Sequence, residues 1–149
     1  MKILVDADSC PKAARELVLR RAEKLNLRVI FAADRSIPDA EKSGAEMEIC
    51  PPGDNSADDR IVELAENGDL VIARDVPLAK RLVDKDVSVI DDRGRIFTKN
   101  NINEFLSLRN FTVGLADNGL GIERTANYGK KELKSFADSL DRFLTKRGI

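Results

Sequence analysis

Short apolar runs alternate with stretches of helical spacing along the whole chain. KILV (2–5) reads as a buried strand that closes on Asp6. A helix is expected from Pro11, since proline suits a first turn and Ala14, Leu17, Val18 and Leu25 share one face. Arg21 falls inside that stripe and is read as a side chain snorkelling at its edge. Leu27 to Ala33 forms a second strand, followed by a polar loop through Gly44. Glu46 to Cys50 is a short third strand, stopped by Pro51-Pro52-Gly53. Ser56 opens a helix through Glu66, ended by Asn67-Gly68, with Asp58 and Asp59 in its first turn, where the macrodipole favours carboxylates. Asp69 to Ala73 is a fourth strand, Pro77 opens another helix, and Val87 to Ile90 is a fifth strand running into Asp91-Asp92.

Beyond this, Arg95 to Thr98 offers an edge strand and Ile102, Phe105 and Leu106 begin a helix. Leu133, Phe136, Ala137, Leu140, Phe143 and Leu144 mark a final one, whose polar face (Lys130, Lys131, Lys134, Arg142, Lys146, Arg147) reads as a solvated surface. The alternation predicts an α/β fold: one domain over 1–149, three α/β/α layers around a mostly parallel sheet, with a helical part from about 100 to 149 packed on it.

The length of 149 residues suits one core, and 42% hydrophobic with 34% charged residues is a globular mix. Histidine is absent, which excludes a Ser-His-Asp triad, a Cys-His pair and an imidazole base. Two cysteines cannot fill a structural zinc site. A net charge of −1 excludes a globally basic nucleic-acid coat but leaves room for local basic faces. The start MKILVD shows no leader pattern, and no apolar run reaches the roughly 18 residues of a membrane span. A cytoplasmic protein with reduced thiols and no membrane partner is the expectation.

What remains for chemistry is carboxylate. In an open parallel sheet, ligands bind beyond the carboxyl ends of the strands, where strand order reverses. Asp6, Asp75 (two residues past Ala73) and Asp91 finish strands at that edge, Asp8 follows Asp6, and Asp58 and Asp59 start a helix reached from it. Like charges in one crevice call for a cation, and oxygen-only ligands suit Mg²⁺ or Mn²⁺. Each acid also has a plainer explanation: Asp58 and Asp59 as helix-dipole partners, Asp75 as a helix cap, Asp92 as part of a turn with Arg93-Gly94. Asp6 resists one, because a carboxylate closing an apolar strand gains little structurally. Lys12, Arg74 and Arg93 are candidates to hold substrate phosphate, and Asn55 is counted with them. Arg93 stands out because Gly94 lets the backbone approach a ligand. Cys10 and Cys50, at the same edge, read as small half-buried residues.

VDADSCP (5–11), SADDRIVELAENGDLVIARDVPLA (56–79) and DRGRIFTKNNI (92–102) with LRNF (108–111) resemble the bacterial YaiI/YqxD family, from Met1 to about Phe111. That family is largely uncharacterised and is related to PIN-like nuclease domains of the NYN type. The resemblance implies a PIN-like fold in which Asp6, Asp8, Asp58 and Asp75, with Asp59 as an addition, bind Mg²⁺ or Mn²⁺ and cut RNA or DNA. The chain departs from the family pattern at Asn55, where Asp is usual, at Asp91-Asp92, where Asn-Pro is usual, and over IERTANYGKKEL (122–133), where a Gly-Gly-Pro stretch is absent.

The leading reading is therefore a metal-dependent hydrolase: a nuclease acting on RNA, less so DNA, with Asp6, Asp8, Asp58 and Asp75 as its catalytic residues. Two ions about 4 Å apart perform such chemistry without histidine. A haloacid-dehalogenase-type phosphatase is the alternative enzyme, with Asp6-Ala7-Asp8 as its D-x-D and Asp91-Asp92 as its late acidic pair, though Ala33-Asp34 lacks the hydroxyl expected after the second strand. A catalytically inactive PIN-like module that binds nucleic acid or protein is the third.

Overall fold

A computed structural model describes residues 1–37, 44–52, 56–117 and 128–148. Its elements run β1 (Lys2–Asp6), α1 (Lys12–Leu25), β2 (Arg28–Ala33), β3 (Glu46–Ile49), α2 (Ser56–Leu64), β4 (Leu70–Ile72), α3 (Val76–Asp84), β5 (Ser88–Ile90), β6 (Ile96–Phe97), α4 (Ile102–Asp117) and α5 (Lys130–Lys146). The strands form one six-stranded sheet in the order β3-β2-β1-β4-β5-β6. Pairings are parallel from β3 through β5, and only β6 returns antiparallel, with Ile90 opposite Ile96. The chain winds outward from β1 to β3, then crosses to β4 on the other side of β1. The strand order thus reverses between β1 and β4, where a doubly wound sheet opens its crevice.

Period-two alternation sorts the strand residues between two cores. Ile3, Val5, Val29, Phe31 and Ile72 face α1 and α5, whose Leu17, Val18, Phe136 and Leu140 are buried against them. Leu4, Ile30, Val71 and Val89 face α2, α3 and α4, which contribute Ile61, Leu78, Leu82 and Ile102. Both faces of the central strands are covered, which explains why β1 and β4 read as unbroken apolar runs. Among the described residues, no helix is long and apolar enough to cross a membrane.

Arg21 corrects the sequence reading. Its guanidinium grips Asp141 of α5 with two hydrogen bonds of 2.7 and 3.3 Å, so it ties the two helices of one layer together instead of snorkelling. At the amino edge of the sheet, Asp69 is buried and holds β1 to the α2–β4 turn. It accepts from the Lys2 backbone at 3.1 Å, from Lys2 Nζ at 2.6 Å and from the Glu66 backbone at 2.9 Å. Burial pushes its carboxyl up, but these donors outweigh that and hold it below its usual value. Its stabilising contribution is therefore present above about pH 4 and is lost as pH falls through the lowered folded value. Asp69→Asn should cost about 2 kcal/mol near pH 7 and remove most of that acid dependence, as read by urea melts at pH 3 and pH 7. Equal stability of the two proteins at pH 7 contradicts this account.

Candidate metal centre

Asp6 continues the face of Leu4, so the alternation of β1 turns it toward the layer of α2 and α3. Both helices begin at the carboxyl edge, and each brings an acid there. Asp58 lies in the first turn of α2, and Asp75 immediately precedes α3. The three acids come from segments far apart in sequence and meet beside the β1–β4 switch point.

Their electrostatics record the meeting. The Asp58 carboxyl is pushed up to about 6, first by burial, then by the charges of Asp75 and Asp6 and by hydrogen bonding with Asp75, against the pull of Arg81. Asp6 is 8% exposed, and burial raises its carboxyl. The Ser9 hydroxyl, donating to Asp6 Oδ2 at 3.1 Å, opposes this, while the charges of Asp8 and Asp75 add to it. Asp75 occupies the N-cap position of α3 with extended backbone (φ −71, ψ 114), yet its side chain makes no capping bond. Its Oδ1 is buried without a hydrogen-bond partner among the described residues. The plain explanation of Asp75 as a cap therefore fails, and a buried, unsatisfied carboxylate oxygen is left facing other acids.

A raised folded value makes the native state hold protons that the unfolded chain releases, so the contribution of Asp58 is greatest below about pH 4 and is lost as pH rises through about 6. Asp58→Asn should accordingly be stabilising in metal-free buffer at pH 7.5, on the order of 1 kcal/mol after solvent screening, and near neutral at pH 4. Thermal melts in chelator at both pH values check the sign; a variant less stable than wild type at pH 7.5 contradicts it.

The remaining sequence candidates divide. Asp59, adjacent to Asp58 on α2, is exposed and pairs with Arg81 at 2.9 Å, so it does not join the cluster. Asp8 borders the cluster, but its Oδ2 accepts the Asp34 backbone N–H at 3.0 Å. Asp91 is taken up by the β5–β6 turn: Oδ1 accepts the backbone N–H groups of Arg93 and Arg95 at 2.9 and 2.8 Å. Asp92 is buried and paired with Arg74. The late acidic pair that a phosphatase reading needs is thus spent on structure. Arg74 flanks the cluster through that pair, and Lys12 stands exposed at the start of α1, 3.9 Å from Glu16. Gly94 does not open Arg93 to a ligand as expected, because the Gly94 backbone packs against Ser135 of α5. Asn55 and 122–127 of the 122–133 stretch lie outside the described residues. Burial pushes the Cys10 thiol up to about 12, which removes it as a nucleophile, and Cys50 is likewise buried and raised.

One residue escaped the sequence reading. Tyr128, just before α5, donates its hydroxyl to the Asp92 carbonyl at 2.5 Å and so joins the last helix to the Arg74–Asp92 pair. Its being the chain's sole tyrosine was the only available signal. The expected five-acid set (Asp6, Asp8, Asp58, Asp59, Asp75) is not formed as one coordination sphere. Among the described residues, no three or more Cys, Asp or Glu side chains are posed to hold a metal. Asp6, Asp58 and Asp75 converge, while Asp8 and Asp59 are turned to other partners.

Residues 4–146 match the family described as "Uncharacterized BCR, YaiI/YqxD family". The chain belongs to that family. It is 51% identical to a UPF0178 protein of Treponema denticola over 98% of this chain and 93% of that one. A UPF0178 protein of Treponema pallidum is 46% identical over 95% and 80% of the two chains, and one of Stutzerimonas stutzeri 42% over 98% and 97%. No solved structure matches. The family name carries no activity.

Proposed function

We propose that this YaiI/YqxD chain is a metal-dependent phosphodiesterase of PIN-like layout that cuts RNA, and DNA less readily. The observation that carries the reading is the convergence of Asp6, Asp58 and Asp75 at the switch point, with one Asp75 oxygen buried and unsatisfied. An oxygen-only donor set whose members repel one another suits a hard divalent cation. Asp6, Asp58 and Asp75 would hold Mg²⁺ or Mn²⁺, with Asp8 joining once its side chain leaves the Asp34 amide. Such an ion supplies positive charge to phosphoryl oxygens and acidifies water at neutral pH. Ser9 fixes the orientation of Asp6 through Oδ2, and the Asp92 pair holds Arg74 at the rim, where its guanidinium can take a phosphate oxygen. The preference for RNA and a cytoplasmic setting come from the family resemblance and the reduced thiols.

The test is turnover with Mn²⁺ and with Mg²⁺ on single-stranded RNA, structured RNA, DNA and p-nitrophenyl phosphate, with Asp6→Asn as control. Metal-dependent cleavage of RNA that Asp6→Asn abolishes is the expected result. Monoester turnover with a phospho-aspartate trapped on Asp6 would instead establish the phosphatase reading.

A further inference from the structure

The basic face of α5 is not one surface but two. The helix starts at the carboxyl edge of the sheet: Tyr128 bonds to Asp92, and Ser139 Oγ donates to the Gly94 carbonyl at 2.7 Å, both past the end of β5. It finishes at the amino edge, where Arg147 reaches Ser88 Oγ at 3.5 Å at the start of β5. Lys130, Lys131 and Lys134 therefore lie on the same edge as the acid cluster, and Arg142 and Lys146 toward the opposite one.

Helix physics argues against lysines at that first place. The N-terminal turn of a helix carries partial positive charge and favours acids. Yet α5 begins Lys130-Lys131, with Gly129 as N-cap and no side-chain capping bond; Glu132 is the acid of that turn. The start of α1, which reaches the same edge, repeats the pattern: Lys12 comes first, the first turn has no acid, and Pro11 makes no side-chain cap. Cations placed against two helix dipoles lower helix stability, and an external polyanion at that edge would relieve both. The other flank of the edge has a different balance, with Asp8, Asp34 and Glu48 set against Arg35 and Arg60, and Arg60 already bound to Glu48 at 2.6 Å and Glu63 at 3.0 Å. Lys134 is 82% exposed in its side chain and only 3.8 Å from Asp138, a loose surface contact.

We infer that Lys130, Lys131 and Lys134, continuing through Arg74 to Lys12, form the track for the phosphodiester backbone of a single nucleic-acid strand, which enters the acid cluster from the β4–β5–α5 side. This rests on the nuclease reading for the fate of the strand but not for its binding. The track is built of cations that meet phosphates, so its affinity falls steeply with salt.

The experiment is fluorescence anisotropy with a labelled single-stranded oligouridylate in chelator, so that no turnover intervenes, over a salt series. The triple variant Lys130→Glu/Lys131→Glu/Lys134→Glu should bind at least about tenfold more weakly, with the logarithmic salt slope reduced by about 2, one ion-release increment of about 0.7 for each lysine. The pair Arg142→Glu/Lys146→Glu, on the same helix but the other edge, should bind within about twofold of wild type. The triple variant should melt at or above the wild-type temperature, because acids suit the first turn; Lys130→Gln/Lys131→Gln/Lys134→Gln gives the same binding readout should the reversal disturb folding. Unchanged binding in the triple variants, or equal loss in the distal pair, overturns the track. Metal-dependent hydrolysis of bis(p-nitrophenyl) phosphate separates this from the catalytic reading. If the nuclease reading holds, that small diester is turned over equally by wild type and triple variant. If no variant turns it over while the binding pattern stands, the nuclease reading falls and the track remains.

Discussion

Gly94→Ala should destabilise the fold by about 3 kcal/mol and lower the melting temperature by about 10 °C, a larger loss than alanine at Gly44, Gly68, Gly129 or Gly148. Two terms combine. The backbone at Gly94 is left-handed (φ +88), a conformation that costs an L-residue about 1–2 kcal/mol. In addition, a Cβ there runs into the Ser135 carbonyl oxygen and sits 2.8 Å from both the Ser135 carbonyl carbon and Ser139 Oγ. Those atoms belong to the body of α5, which cannot give way without lifting Phe136 and Leu140 from the core under β1 and β4. Gly44→Ala is the matched control, since Gly44 is also left-handed (φ +83) but a Cβ there meets nothing within 4 Å. It should lose about 1 kcal/mol, and the difference between the two variants isolates the contact between the turn and the helix. Equal losses would mean that α5 is not seated on the β5–β6 turn.

That contact matters to the candidate site as well as to stability. The β5–β6 turn carries Asp92, Asp92 holds Arg74, and Arg74 is next in sequence to Asp75. From the other direction Tyr128 and Ser139 attach α5 to the same turn. A displaced α5 would thus loosen the rim arginine and shift the lysines of its first turns together.

Sequence patterning made the layered fold legible because buried parallel strands leave short apolar runs, and each run here is bounded by Gly, Pro or Asp. Asp6 stands out for the same reason: a carboxylate closing an apolar strand has no local structural role, and among the described residues its favourable partners are the Ser9 hydroxyl and the more distant charge of Arg74. Other features are long-range and leave no periodic trace. Arg21 and Asp141 lie 120 residues apart, and only the parallel course of α1 and α5 in one layer brings them together. Asp58 and Asp59 are indistinguishable as neighbours in sequence, but successive helix residues point about 100° apart, so one meets Asp75 while the other meets Arg81. Asp91 reads in sequence as a third strand-end acid, whereas in the fold it is the acceptor that closes a tight turn. The lysines of α5 needed the three-dimensional course of the helix before one end of its basic face could be told from the other.

Asp75→Asn should separate structure from chemistry at the centre. Asp75 makes no capping bond and its Oδ1 has no hydrogen-bond partner among the described residues, so apart from its hydrogen bonding with Asp58 its charge acts on the metal-free fold mainly as repulsion toward Asp6 and Asp58. The amide removes that repulsion. In chelator the variant should melt at or slightly above the wild-type temperature, and the Asp58 carboxyl should return toward its ordinary value, visible as a down-shifted titration by carboxyl-resolved NMR. Mn²⁺ affinity, read by calorimetry, should fall by about 100-fold, because a neutral amide oxygen replaces a carboxylate in a set that depends on charge. Diester turnover should fall with it and recover in part as Mn²⁺ is raised, since the missing element is ion occupancy and not a proton donor. Asp8→Asn should show the same recovery with a smaller loss, in keeping with an acid that borders the cluster and is bonded to the Asp34 amide. A steep loss of metal-free stability in Asp75→Asn, with Mn²⁺ binding unchanged, would return Asp75 to the role of a structural cap and leave the proposed cation site without its third acid.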